Sequence, residues 1–408
     1  MIEVLAPSST ASYEDQLRRV ISGRPLFPFA AVLIDFVDQV SKAVLSDPFL
    51  VRMPEMAAAA HWMRKAHLIE LRRSFEIMRG ERLWLSRGLC LHFAPSNVDS
   101  IFLYSWFTSL LVGNTNIVRL SLRRGEDVDL LLTKVDSVIA DKRFEAIRDR
   151  TAILGFDHDD EFTRQLSESC QVRVVWGGDE SVRHVRSIPL NPLALDVAFA
   201  DRFSLAVLNA YKVLEADATS LRNLASEFQR DAYGFDQMAC SSPRLVIWIG
   251  DSISCISAQS RFWEALAMEV SLRKTAYPPI VGLNKLVTAY SSAAMGTADR
   301  VWPDVTGPIS RVHLESSGRS EFRHIRSGGG FFFEAERGSL HEITDFLAQR
   351  DQTLAYYGFE RGELQELALS LPPRSVDRIV PIGSALDFNT VWDGANLLRV
   401  LTREVDLQ

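Results

Sequence analysis

Between residues 85 and 209 the chain alternates short apolar runs with stretches of helical period, and few architectures accommodate that rhythm. Residues 89–94, 116–120, 152–156, 172–176 and 203–208 are apolar over the length of a buried strand. Residues 99–112, 126–140, 160–169 and 180–187, between them, carry apolar side chains three and four apart. Strands that are apolar on both faces must be covered on both sides, and intervening helices join parallel strands through right-handed crossovers. The pattern predicts an α/β fold built on a parallel sheet. Ahead of it, residues 26–45 and 56–78 read as helices. A second block begins near residue 210 with a helix over 216–233, a turn-rich stretch over 234–243 and a strand over 245–249. Further apolar runs lie at 331–333, 352–357 and 378–382.

At 408 residues the chain exceeds one small core, and 47% hydrophobic with 24% charged residues is the balance of a globular protein. A formal net charge of -7 gives no general attraction to nucleic acid or to anionic membrane. Residues 101–112 are apolar but broken by Ser105, Thr108 and Ser109, and fall short of the ~20 residues a membrane span needs. Residues 1–13 lack the pattern of a secretory signal, and four cysteines without paired spacing fit a reducing compartment, so a cytoplasmic location is expected. No CxxC or HExxH suggests a metal site.

Three segments can carry chemistry. His92-Phe93-Ala94-Pro95-Ser96-Asn97 runs from a strand end into a helix, at the edge where open α/β sheets bind ligands. Asn97 can cap that helix or donate its amide to an oxyanion. Gly113-Asn114-Thr115-Asn116-Ile117-Val118-Arg119 ends on an arginine, with Arg123 and Arg124 behind it. Arg119 is either a solvated strand end or a fork for a ribose phosphate. Asp236-Gln237-Met238-Ala239-Cys240-Ser241-Ser242-Pro243 places a cysteine on a loop, whereas Cys90, Cys170 and Cys255 lie in or beside apolar or helical runs. No GxGxxG is present, and Gly328–Gly330 reads as a hinge or tight turn rather than a phosphate cradle.

Together these segments resemble the aldehyde dehydrogenase superfamily. They look most like its long-chain fatty acyl-CoA reductase family, the type of the bacterial luminescence fatty-acid reductase subunit. The resemblance runs from about residue 85 to the C-terminus through APSN, GNTNIVR, DQMACSSP and the terminal RIVPIGSALDFNTVWDG. It implies a Rossmann-type cofactor domain within residues 1–209, an α/β catalytic domain over 210–375, and a segment, 376–408, that returns to the cofactor domain or to an oligomer interface. Cys240 falls on the nucleophile and Asn97 on the oxyanion-hole asparagine. Pro95, Ser96, Arg119, Gly177, Gly178 and Asp179 fall on cofactor-binding positions. The superfamily binds its dinucleotide without GxGxxG.

The implied reaction is reduction of an acyl-CoA to an aldehyde through acyl-Cys240, with NADPH favoured and NADH as the alternative cofactor. The other readings are reduction of an acyl group delivered by a partner acyl-protein synthetase, and a non-reducing acyl carrier or scaffold. A homo-oligomer is expected. Residues 196–204 lack the glutamate with which hydrolytic relatives activate water, so the acyl-enzyme should meet a thiol or hydride instead. Glu334 lies near the place of the superfamily's late glutamate, but its local pattern does not match.

Overall fold

The computed structural model describes residues 2–8, 12–95, 100–157, 159–272, 277–303, 307–314 and 320–407. They divide into two units, Met1–Asp201 with Phe388–Gln408, and Arg202–Asp387. Among the described residues no helix is long and apolar enough to cross a membrane.

The first unit is built on six strands: β1 (Glu3–Ala6), β2 (Leu89–Phe93), β3 (Thr115–Leu120), β4 (Thr151–Gly155), β5 (Val172–Trp176) and β6 (Leu195–Phe199). Their order is β1-β4-β3-β2-β5-β6, with β1 antiparallel to β4 and every other pair parallel. The chain steps from β2 through β3 to β4 on one side, then returns to place β5 on the other flank of β2. That reversal opens a crevice at the carboxyl ends of the strands. The helix Ile101–Leu111 is buried at every position, which explains why its sequence is apolar all round.

One directional chain of hydrogen bonds ties the central strands to that helix. Trp176 Nε1 donates to Ser105 Oγ at 2.9 Å. The Ser105 hydroxyl lies 2.8 Å from His92 Nδ1, His92 Nε2 lies 3.1 Å from Asn116 Oδ1, and the Asn116 amide donates to Asn114 C=O at 2.9 Å. Asn116 Oδ1 can only accept, so the neutral Nε2–H tautomer of His92 satisfies every member. Asn114 in turn accepts from the N–H groups of Arg87 and Gly88 and donates to Leu401 C=O.

Three sequence expectations change in detail. The helix over 56–78 is two, Pro54–Trp62 and Lys65–Arg79, because Asp38 from a neighbouring helix accepts from Lys65 N–H at 2.8 Å and starts the second. The helix over 216–233 is preceded by a separate turn, Ala210–Glu215, and starts at Ala218, capped by Asp217. Strand β6 gave little signal because most of it is only half-buried.

The second unit carries β7 (Phe203–Asn209), β8 (Pro243–Ile249), β9 (Ala298–Trp302), β10 (Ser310–Leu314), β11 (Phe331–Arg337), β12 (Asp351–Tyr357) and β13 (Arg378–Pro381). The order is β9-β10-β11-β8-β7-β12-β13, parallel except for β9 against β10. Phe228 and Trp263, from the helices Ala218–Tyr233 and Ser252–Leu272, pack on Trp248 and Phe332.

Burial pushes the His92 imidazole down to about 4. Below about 6.5 the unfolded chain takes up a proton that the folded chain refuses, so stability falls as pH drops from about 6.5 to 4. The effect is on the order of 2–3 kcal/mol. Urea unfolding across this range should show that loss, and His92→Gln should flatten it. Parallel pH curves for the two proteins would exclude His92 as its source.

Candidate active site

In the first unit, a cleft of about 510 Å³ lies at the carboxyl ends of the central strands. Ala94 and Pro95 follow β2 into it, Arg119 reaches it from β3, and Gly177 and Gly178 follow β5. Ser96 and Asn97 lie outside the described residues. Gly178 stands at the N-cap of the helix Asp179–Ser187 and has no side chain to accept from the first N–H groups of that helix. A Cβ on Gly178 would meet nothing within 4 Å, and one on Gly177 would meet only Ser181 Cβ at 3.4 Å. Packing does not require glycine at either position, and the space above the helix start is open.

Arg119 is shaped for this cleft. Its Nε donates to Phe156 C=O at 2.9 Å, and its guanidinium lies 5.6 Å from the Phe156 ring centre. Burial lowers its affinity for the proton while Asp157 raises it. Arg123 also lines the cleft. Arg124 does not join them: it is held by Asp129 at 2.5 Å and Glu3 at 3.3 Å. Asp179 lies 3.7 Å from Arg183.

In the second unit, the cysteine loop is fixed by contacts that its sequence only hinted at. Phe235, Asp236 and Gln237 all take left-handed backbone conformations, with φ of 56°, 50° and 65°. Such a run is costly for non-glycine residues and needs outside support. Gln237 provides it. Its Nε2 donates to Pro243 C=O at 3.1 Å and Phe331 C=O at 2.9 Å, while its Oε1 accepts from Gly330 and Phe331 N–H, each at 3.0 Å. Gly328–Gly330 is thus a tight turn locked to the loop. A Cβ on Gly330 would meet Pro308 C=O at 2.0 Å. Ser204 Oγ then donates to Cys240 C=O at 2.6 Å and accepts from Thr353 N–H at 3.2 Å.

Burial pushes Cys90, Cys170 and Cys255 each up to about 12, so none forms a thiolate near neutrality. Cys240 alone among the four is not buried. In the segment 196–204, Asp196 is bound to Arg173 at 2.9 Å and to Arg186 at 3.4 Å, which commits its carboxylate. Glu334 is equally committed: its oxygens accept from Trp248 and Trp263 Nε1 at 3.0 and 2.6 Å and from Arg311 at 3.2 Å. Neither Gln237 nor Ser204 was identified from the sequence. The one available hint was the adjacency of Asp236-Gln237 to the cysteine, with a glycine triplet further on.

Two mostly parallel sheets, a crevice at a strand reversal and a cysteine on a braced loop define the aldehyde dehydrogenase-like fold. Solved structures agree. Proline utilization A from Bdellovibrio bacteriovorus matches with a TM-score of 0.66 at 12% identity, over 97% of this chain and 46% of that one. AldH from Staphylococcus aureus matches at 0.64 and 13%, over 97% and 93%, and an NAD-dependent benzaldehyde dehydrogenase from Corynebacterium glutamicum at 0.63 and 12%, over 96% and 86%. The chain spans under half the length of the proline utilization A protein. No curated protein matches. The model of the acyl-CoA reductase (LuxC) family matches residues 70–295, more than half of the chain, and the chain belongs to that family.

The open space at Gly178 makes a direct test possible. Gly178 has φ of -67°, which any residue adopts, and free space around it. Gly178→Leu should therefore leave the melting temperature within about 2 °C of wild type. If a cofactor phosphate sits there, its KM for reduced cofactor should rise roughly tenfold or more. An unchanged KM in the folded variant would remove the phosphate from this place.

Proposed function

We propose that this chain reduces an acyl-CoA to an aldehyde through a thioester on Cys240, with NADPH as the electron donor. The observation that carries the reading is that one cysteine of four escapes burial and sits on a loop braced by Gln237 and Ser204.

The residues of the cleft fit a nicotinamide dinucleotide. Gly177, Gly178 and the backbone N–H of Asp179 would take the pyrophosphate, while the Asp179 carboxylate stays with Arg183. Pro95 would border the cofactor on the β2 side, with Ser96 next to it in the chain. Arg119 and Arg123 would take the adenosine ribose, where two guanidinium groups favour a 2′-phosphate. A bound reduced nicotinamide supplies hydride.

The protein's own part follows from thiol chemistry. The Cys240 thiolate adds to the thioester carbonyl, and the family resemblance implies that the Cys240 N–H and the amide of Asn97 would receive the oxyanion. Loss of one such donor typically costs ~10²–10³ in rate. The C–S bond to CoA breaks, CoA leaves as its thiolate, and the acyl group stays on Cys240. Hydride and one proton convert the acyl-Cys to a thiohemiacetal. Its hydroxyl then loses a proton as the C–S bond breaks, freeing the aldehyde and restoring the thiolate. With no glutamate in 196–204 and Asp196 bound to two arginines, Asp201 is the carboxylate of the segment that could help water to compete.

A spectrophotometric assay with acyl-CoA, run with NADPH and with NADH, tests the whole reading. Wild type should oxidise NADPH faster, by about ten- to a hundredfold in kcat/KM if one charge-assisted contact decides the choice. Cys240→Ala should oxidise neither cofactor and take up no acyl group by mass spectrometry, whereas Cys90→Ala should behave as wild type. Acyl labelling that survives in Cys240→Ala would overturn the assignment, and NADH used as well as NADPH would overturn the cofactor preference.

A further inference from the structure

Arg244 stands four residues after Cys240, near the start of β8, where the sequence Pro-Arg-Leu-Val-Ile-Trp-Ile is otherwise apolar. Its side chain is taken inside, with 6% of the residue exposed. There Nη2 donates to Arg202 C=O at 2.6 Å, and the guanidinium lies 4.5 Å from the centre of the Phe203 ring. Its Nε is buried without a hydrogen-bond partner. Among the described residues, no ion pair joins a carboxylate to Arg244. Asp351 is close enough to act on it, but that carboxylate is held by Arg323 at 2.7 and 2.9 Å. Arg350 adds a like charge, and Arg202 is paired with Asp377 at 2.8 Å.

A buried cation with no ion-pair partner and an idle N–H is strongly unfavourable unless an anion answers it. Burial lowers Arg244 to about 10, which leaves it charged at neutral pH, and the largest opposing influence is the charge of Cys240. The attraction is mutual: whatever the thiolate does to favour the charged arginine, the arginine does to favour the thiolate. The two are held in a fixed relation, because Arg244 donates to Arg202 C=O while Ser204 Oγ donates to Cys240 C=O. Both contacts fall on one three-residue stretch at the start of β7.

We propose that Arg244 is the buried cation that holds Cys240 as a thiolate, a positioning residue for the nucleophile. The inference rests on Cys240 being the nucleophile of the proposed reaction. Lys285 is a second buried cation beside the glycine turn, where its Nζ donates to Gly307 C=O at 3.3 Å and lies 5.7 Å from the Tyr277 ring centre. Burial raises the Asp236 carboxyl above its ordinary range, and burial also raises the Tyr233 and Tyr277 phenols, so neither tyrosine offers a charge at neutral pH.

The test is the pH profile of Cys240 alkylation by iodoacetamide, read as the modified Cys240 peptide by mass spectrometry. Wild type should titrate at least about one unit below the value of ~8.5 of a free cysteine. Arg244→Gln keeps a donor toward Arg202 and removes the charge, so its midpoint should rise by about one unit or more. Arg244→Lys should stay close to wild type. A wild-type midpoint at or above ~8.5 overturns the proposal, as does an Arg244→Gln midpoint equal to wild type. Should both variants fail to fold, the wild-type midpoint decides alone. Incubating wild type with acyl-CoA separates the two levels of the reading. Acylation of Cys240 with an ordinary midpoint removes only the role of Arg244, whereas no acylation at Cys240 removes the nucleophile itself.

Discussion

The primary amide of Gln237 is buried, and both of its ends are in use. Two donors reach Pro243 and Phe331 carbonyls and one acceptor takes two backbone N–H groups, so it substitutes for a piece of sheet between the cysteine loop and the glycine turn. Loss of a buried amide of this kind leaves several backbone groups unsatisfied, each worth about 1–3 kcal/mol. That constraint explains why a loop with three left-handed non-glycine residues is tolerated next to Cys240. It also explains why three glycines are required opposite it, since any side chain on Gly330 would strike the Pro308 carbonyl.

The first unit uses a similar device. A neutral histidine, two asparagines, a serine and a tryptophan tie the central strands to the buried helix and to the amino ends of β2 and β3. Each unit therefore holds a polar network, and every member of both is hydrogen-bonded. Completeness matters because a partly satisfied network is worse than an apolar core. Arg244 belongs to neither network, and its Nε, like Ser242 Oγ and Thr353 Oγ1, is buried without a hydrogen-bond partner. Its idle Nε is the kind of local imperfection that functional sites retain.

Much of this was legible in the sequence. Strands β2 to β5 were visible because they are buried on both faces and therefore mostly apolar, and β7 and β8 for the same reason. Strand β6 was not, since it is mostly half-buried and carries Asp196 toward Arg173. The cleft residues Pro95 and Arg119 could be named because strand ends punctuate the sequence, whereas Gly177 and Gly178 were legible only through the family resemblance. GNTNIVR was noticed for its arginine, yet its two asparagines are bound into the fold. The roles of Gln237 and Arg244 were hidden because they depend on partners between 6 and 94 positions away, or on burial that an arginine does not advertise.

The central claim is that the acyl group passes through Cys240 and leaves as aldehyde. The most direct measurement isolates the protein after incubation with acyl-CoA alone, verifies one acyl adduct by intact mass, then adds reduced cofactor in a single turnover. The account requires the adduct mass to vanish with release of an equal amount of aldehyde, while in buffer the adduct persists. No adduct, or discharge as free carboxylic acid at the same rate with and without cofactor, would contradict it.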